Sequence, residues 1–241
     1  MKTTYLFALV IVSNFLFSCT GESQNWFSSG VKGEGPKVTR TLDLSSFDAL
    51  SLGIDAELYL SQGIQSVKIE GQQNILDLIN TDVKDNKWKI RFSENVRNYE
   101  KIKIWVSIPH LTKAGVSGSG DIVGQTPFKN LDDLKLAVSG SGDIELDADS
   151  RSLEGAVSGS GRIHVDGNTG DCEFRISGSG DIDAYGLVSE NCKVKISGSG
   201  DASVNVNNSL EVGIAGSGDV YYKGRPKVRS KISGSGDVQA N

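Results

Sequence analysis

The sequence predicts an all-β chain folded as a right-handed parallel β-helix, a solenoid with rungs of about 18–22 residues and an irregular β part on its N-terminal side. Three observations predict it. A short motif recurs seven times, the apolar positions around it fall into columns when the copies are aligned, and 29 Gly with only 4 Pro among 241 residues accompany almost no long helical pattern.

The motif is built on Ser-Gly-Ser-Gly-Asp behind a β-branched residue. Its copies run Val116–Asp121, Val138–Asp143, Val157–Arg162, Ile176–Asp181, Ile196–Asp201, Ile214–Asp219 and Ile232–Asp237, and their last residues are spaced 22, 19, 19, 20, 18 and 18 apart. One residue past each copy stand Ile122, Ile144, Ile163, Ile182, Ala202, Val220 and Val238. Seven residues before the final Asp stand Ala114, Leu136, Gly155, Phe174, Val194, Val212 and Ser230, next to a mixed polar and small column at six before. This alternation has the period of a strand with one wet face. One such unit cannot bury its apolar face alone, whereas stacked copies, about 4.8 Å apart, share a continuous core. Parallel crossovers are nearly always right-handed, which sets the expected hand. Glycine at the corners supplies backbone angles closed to other residues and lets rungs approach closely. Antiparallel hairpins in a sandwich are the rival arrangement, since they too turn on glycine.

Upstream, strand grammar continues without the motif. Leu42/Leu44, Leu58/Leu60, Val67/Ile69, Trp88/Ile90/Phe92 and Ile102/Ile104/Val106/Ile108 each alternate with polar residues, and Asn74–Ile79 is the one helix-like stretch. This part is expected to form irregular rungs or a capping sheet over the N-terminal end of the coil.

The first residues carry a different message. Met1-Lys2, an apolar run from Tyr5 to Phe17 and Ser18-Cys19 describe a secretory signal peptide, too short to span a membrane. Leu16-Phe17-Ser18-Cys19 resembles a bacterial lipobox, with Phe in place of the usual small second residue. The domain organisation read from this is a signal peptide at 1–18, a lipidated flexible tether at 19–37 and a single domain at 38–241 with regular repeats over 112–241. Cys19 is the expected lipidation site, and the tether is rich in Ser, Gly, Gln and Glu. Processing leaves 24 basic and 30 acidic residues, and no basic run argues for nucleic acid.

Phe47-Asp-Ala-Leu50, Leu58-Tyr-Leu-Ser-Gln-Gly63, Val106-Ser-Ile-Pro-His-Leu111 and above all the iterated Ser-Gly-Ser-Gly-Asp resemble a family described as "putative auto-transporter adhesin, head GIN domain", common in lipoproteins of Bacteroidetes. The resemblance covers Val38 to Asp237. It implies a β-helical fold and an adhesive role, and supplies no catalytic residues.

The Asp column invites a calcium reading, with Asp181, Asp201 and Asp219 as the cation candidates. Calcium-binding β-rolls, however, use nine-residue repeats of another pattern. Carboxylates one rung apart repel by about 0.9 kcal/mol even in bulk water. The competing expectation is that each carboxylate accepts N–H groups at its own corner and that Arg162 pairs with Asp143 and Asp181. Cys172 and Cys192 share a column otherwise filled by Thr112, Leu134, Leu153, Leu210 and Val228, so they should face inward on adjacent rungs, as a disulfide or as two buried thiols.

No cofactor is implied. With His110 and His164 as the only histidines and no nucleophile elbow or phosphate loop, an enzyme reading is left with carboxylates such as Asp132-Asp133 and Glu145, Asp147 and Asp149 on an outer face. Outward aromatics on a rigid scaffold, Trp105 and Tyr221, are the candidate ligand contacts. The expected function is a non-enzymatic cell-envelope lipoprotein, an adhesin or binding and scaffold module anchored to the outer membrane on its surface or periplasmic face. Its expected partners are the membrane through the lipid, a glycan or surface protein, and a second copy docked at the C-terminal rung. A polysaccharide-active β-helix enzyme and a purely structural envelope protein are the alternatives.

Overall fold

A computed structural model describes residues 30–241. Strands make up 70% and helix 2%, and parallel bridges about 19 residues apart build a β-solenoid of about seven turns. The signal peptide, Cys19 and residues 19–29 of the tether lie outside the described residues. The N-terminal part comprises β1 (Val31–Lys32), β2 (Lys37–Leu42), β3 (Ala49–Leu52), β4 (Ala56–Gln62), β5 (Ser66–Gln72), the single-turn α1 (Gln73–Leu76), β6 (Val83–Lys84), β7 (Lys87–Ile90), β8 (Val96–Arg97) and β9 (Ile102–Ile108). The repeats comprise β10 (Lys113–Gly118), β11 (Asp121–Gly124), β12 (Phe128–Gly140), β13 (Asp143–Gly159), β14 (Arg162–Gly178), β15 (Asp181–Gly198), β16 (Ala202–Gly216), β17 (Val220–Gly224), β18 (Lys227–Gly234) and β19 (Val238–Ala240).

The first three columns of the motif are ladders of parallel partners. Val116 pairs with Val138, Val138 with Val157, Val157 with Ile176, Ile176 with Ile196, Ile196 with Ile214 and Ile214 with Ile232. From Val116 to Ile214 this column is buried. The column seven before the Asp is packed by size as well as polarity. Gly155 stacks on Phe174, and a methyl group on Gly155 would lie 2.7 Å from the Phe174 ring, so the absent side chain is the space that ring fills.

The corner has a physical reason for each motif position. The first glycine of each copy turns the chain at φ between +122° (Gly118) and +142° (Gly216), a region closed to side chains with a Cβ. Its carbonyl accepts from the rung above: Ser141 N and Gly142 N both donate to Gly118 O, at 2.9 and 3.0 Å, and Ser160 N and Gly161 N repeat this on Gly140 O. The second glycine is buried because it sits on the corner below. A Cβ on Gly180 would collide with the Gly161 carbonyl oxygen and come within 2.6 Å of Val157 Cγ1.

The N-terminal part is both irregular rungs and a cap. β3 and β4 stack directly under β10 and β11, with Leu52 on Val116 and Leu58 on Ile122. β7 and β9 lie on the far side of β3 and β4, so the rung formed by residues 49–62 is inserted between two rungs that follow it in sequence. β5 then pairs antiparallel with β9, and β2 antiparallel with β5. The helix-like stretch becomes α1, whose Ile75 and Leu76 are buried, as is Ile79 just beyond it. Val31–Lys32, within the segment read as tether, pairs in parallel with Val96–Arg97.

Candidate functional site

The sheet that follows the corner carries one outward column through the whole molecule. Thr41, Lys68, Trp105, Tyr59, Val123, Glu145, His164, Asp183, Ser203, Tyr221 and Gln239 are successive partners across it. The two sequence candidates, Trp105 and Tyr221, therefore share a face, near opposite ends of the stack. The residues flanking Trp105, Ile104 and Val106, are buried, which fixes the strand beneath the indole.

Trp105 is not a lone aromatic. The Tyr59 ring stacks on it at 5.8 Å between centroids and 22° between planes, and Lys68 Nζ lies 4.2 Å from the indole centroid on its other side. Tyr59 Oη donates to Glu57 Oε2 at 2.8 Å, a bond that raises the phenol above its ordinary range. Beside them Lys101 bridges Asp55 at 3.1 Å and Asp121 at 3.8 Å. Sequence reading found Trp105 and missed Tyr59 and Lys68, which lie 46 and 37 positions away and reach it only because the rung of residues 49–62 is inserted and β5 turns back antiparallel. The polar alternation of Leu58 and Leu60 around Tyr59 was the available signal.

At the other end Tyr221 is half-buried and donates to Asp219 Oδ2 at 3.2 Å, while the Asp219 charge raises its phenol. Tyr185, also missed, lies under Lys223 Nζ at 4.2 Å and accepts from Asn241 Nδ2 at 2.8 Å, tying three rungs together.

The Asp column is a structural ladder, and two expectations about it are corrected. Below the last rung the carboxylates accept from the rung above rather than from their own corner, and only Asp237 accepts a backbone N–H locally, from Val238 N at 2.7 Å: Asp143 N donates to Asp121 Oδ1 at 3.2 Å, Asp201 N to Asp181 at 3.0 Å, Asp219 N to Asp201 at 2.7 Å and Asp237 N to Asp219 at 2.8 Å. Arg162 joins through its backbone N–H, 2.8 Å from Asp143 Oδ1, and among the described residues its guanidinium pairs with neither Asp143 nor Asp181. Asp181 N turns instead to Gly161 O at 3.2 Å. The N–H row thus gives these carboxylates charge-assisted hydrogen bonds, which offset the repulsion anticipated from sequence. Among the described residues no group of three or more His, Cys, Asp and Glu is arranged to hold a metal ion, Asp181, Asp201 and Asp219 included.

Cys172 and Cys192 are in register on adjacent rungs, buried and unbridged. Their mutual hydrogen bond, with burial behind it, pushes the Cys192 thiol well up. They lie at the floor of a groove of about 360 Å³ rimmed by Glu154, Asp171, Glu173, Lys193 and Glu211. Two of its acids are already paired, Glu211 with Lys193 at 2.5 Å and Glu173 with Arg175 at 2.7 Å, and Asp171 accepts from Asn191 Nδ2 at 3.0 Å. The carboxylates weighed for catalysis are engaged or spread apart: Asp133 accepts from Arg151 and Ser152, both at 2.6 Å, and Asp149 from Asn168 at 2.8 Å. His164 sits between Asp183 at 3.1 Å and Asp166 at 3.4 Å.

Comparison with known proteins agrees with this architecture. A protein from Bacteroides fragilis described as a "putative adhesin" is 25% identical, with a TM-score of 0.83, covering 88% of this chain and 100% of its own. A "putative adhesin" from Parabacteroides distasonis is likewise 25% identical over the same shares, with a TM-score of 0.72. A "putative lipid binding protein" from the same organism shares the fold at 23% identity and a TM-score of 0.74, again over 88% and 100%. No curated protein matches the chain. The profile of one family spans residues 46–226, from the rung beneath the first motif to beyond the sixth, and by that match the chain belongs to the family described as "putative auto-transporter adhesin, head GIN domain".

Proposed function

We propose that this protein is a non-enzymatic lipoprotein of the cell envelope, anchored through Cys19 to the outer membrane, and that it works as an adhesin-like binding module. The observation that carries the reading is the stacked pair of Tyr59 and Trp105 with Lys68 above it, displayed on a sheet whose inner residues are fully packed. The outward ring edges of this stack, beside Glu57, Lys101 and Lys103, combine an apolar contact with charged hydrogen-bonding groups, the mixture that suits a sugar ring or a surface peptide. The adhesin-like family and neighbours support the same role.

Binding to a glycan array, followed by titration of the best hit, tests it. Trp105→Ala is expected to weaken binding by about tenfold or more, a loss of about 1.4 kcal/mol or above, with an unchanged circular dichroism spectrum. Equal affinity in the variant rejects this face. Mass spectrometry of the mature N-terminus tests the anchor: a lipid-modified Cys19 supports it and an unmodified residue there rejects it.

The second copy expected at the C-terminal rung has a surface to meet, since Val228 and Ile232 on β18 are 37% and 40% exposed at positions that are buried in the rungs below. Light scattering at high concentration tests that contact, and a strictly monomeric species rejects it.

A further inference from the structure

The chain is acidic overall, yet cations gather at the end of the stack where β6 and β7 lie. These two strands form an antiparallel hairpin in which Lys84 stands directly opposite Lys87, across a turn with Asp85 and Asn86 at φ 51° and 56°. Like charges facing each other across a strand pair are destabilising, so the arrangement is unfavourable unless something neutralises it. Lys87 and Lys89 alternate with the buried Trp88 and Ile90 and share the outward face, which Arg91 continues. Their stacked partners are Ala49 and Ser51, too short to cover a lysine, and beyond Ala49 comes a further lysine, Lys113.

Lys84, Lys87, Lys89 and Arg91 line a cavity of about 160 Å³ with Asn80 and Asp82. Its rim is fixed: Trp88 Nε1 donates to Asn80 O at 2.9 Å, Asn80 N to Arg91 O at 2.9 Å, and Asp82 N to Asn80 Oδ1 at 2.7 Å. Among the described residues none of the four cations, nor Lys113, is in an ion pair, whereas Lys135 pairs with Glu154 and Lys193 with Glu211 on neighbouring rungs of the coil. Burial, with the charges of Lys113 and Lys89, pushes the Lys87 amine below its ordinary range, the signature of a cation without a counter-charge.

We propose that this cavity binds a phosphate group, free or carried on a lipid headgroup, through Lys84, Lys87, Lys89 and Arg91. Four cations against the single carboxylate of Asp82 leave a surplus that a doubly charged oxyanion matches better than a carboxylate does. Arg91 adds the planar fork that grips two phosphate oxygens at once. The site is on a different sheet face from Trp105 and stands or falls independently of it.

Thermal unfolding in millimolar inorganic phosphate, against chloride and acetate at matched ionic strength, tests the proposal. Phosphate is expected to raise Tm by about 2–4 °C beyond either control. The double variant Lys87→Gln/Lys89→Gln is expected to lose that rise, and Lys193→Gln/Lys195→Gln to keep it, which separates site binding from the general stabilising action of phosphate. Because the substitutions at Lys87 and Lys89 relieve repulsion, that variant should melt no lower than the parent without phosphate; should it misfold, Lys89→Gln alone serves. Co-sedimentation distinguishes the sources. Tighter binding to phosphatidylglycerol vesicles than to phosphatidylcholine vesicles, lost in the variant, assigns a lipid headgroup, and a phosphate rise without vesicle preference assigns a free phosphate ester. A rise matched by acetate, or retained in the double variant, overturns the site.

Discussion

Two corners of this molecule lie one on the other and solve the same problem differently. Residues 52–58 and 116–122 turn between the same two sheets in the same number of residues, with Leu52 on Val116, Glu57 on Asp121 and Leu58 on Ile122. Where the upper corner has Gly118 and Gly120, the lower has Ile54 and Ala56, both buried. The difference lies in what is underneath. A Cβ on Gly120 would collide with the Ile54 carbonyl oxygen, because one tight corner rests on another. Beneath Ala56 the chain reaches its partner Ile102 from Ile90 through a longer connection, residues 91–101, so a methyl group is accommodated. The second glycine of the motif therefore answers to the stacking of equal corners, whereas the first, as at Gly118 with its φ of +122° and nothing near an added Cβ, answers to the turn itself.

The sharpest way to break this comparison is to exchange the residue types. Gly180→Ala, which drives a methyl group into the Gly161 carbonyl, is expected to cost about 3 kcal/mol or more, whereas Ala56→Gly should cost only about 1 kcal/mol. Urea unfolding of both variants measures this, and equal losses would remove the stacking argument.

The carboxylate ladder ranks next. Asp201→Ala strips the acceptor from Asp219 N and is expected to cost about 1–3 kcal/mol, with most of it restored in Asp201→Asn, whose amide oxygen still accepts. If Asn proves as damaging as Ala, charge rather than hydrogen bonding holds the column.

The smallest effect concerns the ends. In the coil, charges on adjacent rungs pair, as Lys193 does with Glu211, while Lys87 looks across Ala49 to Lys113. With the Lys87 amine lowered in the fold, its charged form is the one the fold disfavours. That penalty is complete below the folded pKa and fades as pH rises through it toward the unfolded value. Lys87→Gln should thus raise Tm slightly at neutral pH, with the gap to the parent closing in strong alkali; a gap that widens there would contradict the assignment.

How far the sequence could be read follows the same divide. Ile176 and Ile196, Leu153 and Cys172, and Cys172 and Cys192 were legible as neighbours because seven near-identical corners set a common register. The rung of residues 49–62 was not recognised as a copy, since Ile54, Ala56 and Glu57 stand where the motif has Gly, Gly and Asp. Without that rung its neighbours could not be ordered, and the Tyr59–Trp105 stack stayed hidden with it. The cations at β7 escaped notice for a different reason: Lys87, Lys89 and Arg91 are diluted in the chain by Trp88 and Ile90 and meet Lys84 only through the hairpin. The acceptors of the Asp column required knowing which rung lies above, a relation that no single copy of the repeat contains.

The interchangeable corners have a further consequence for how such a chain can change over generations. Because the motif corners meet through the same contacts at each level, gaining or losing one repeat of about 19 residues shifts the overall length by roughly 4.8 Å while asking only the newly adjoining rungs to refit their side chains. Reach then becomes a quantity adjustable by duplication alone, so the distance between the two extremities of the rod can drift without redesigning either of them.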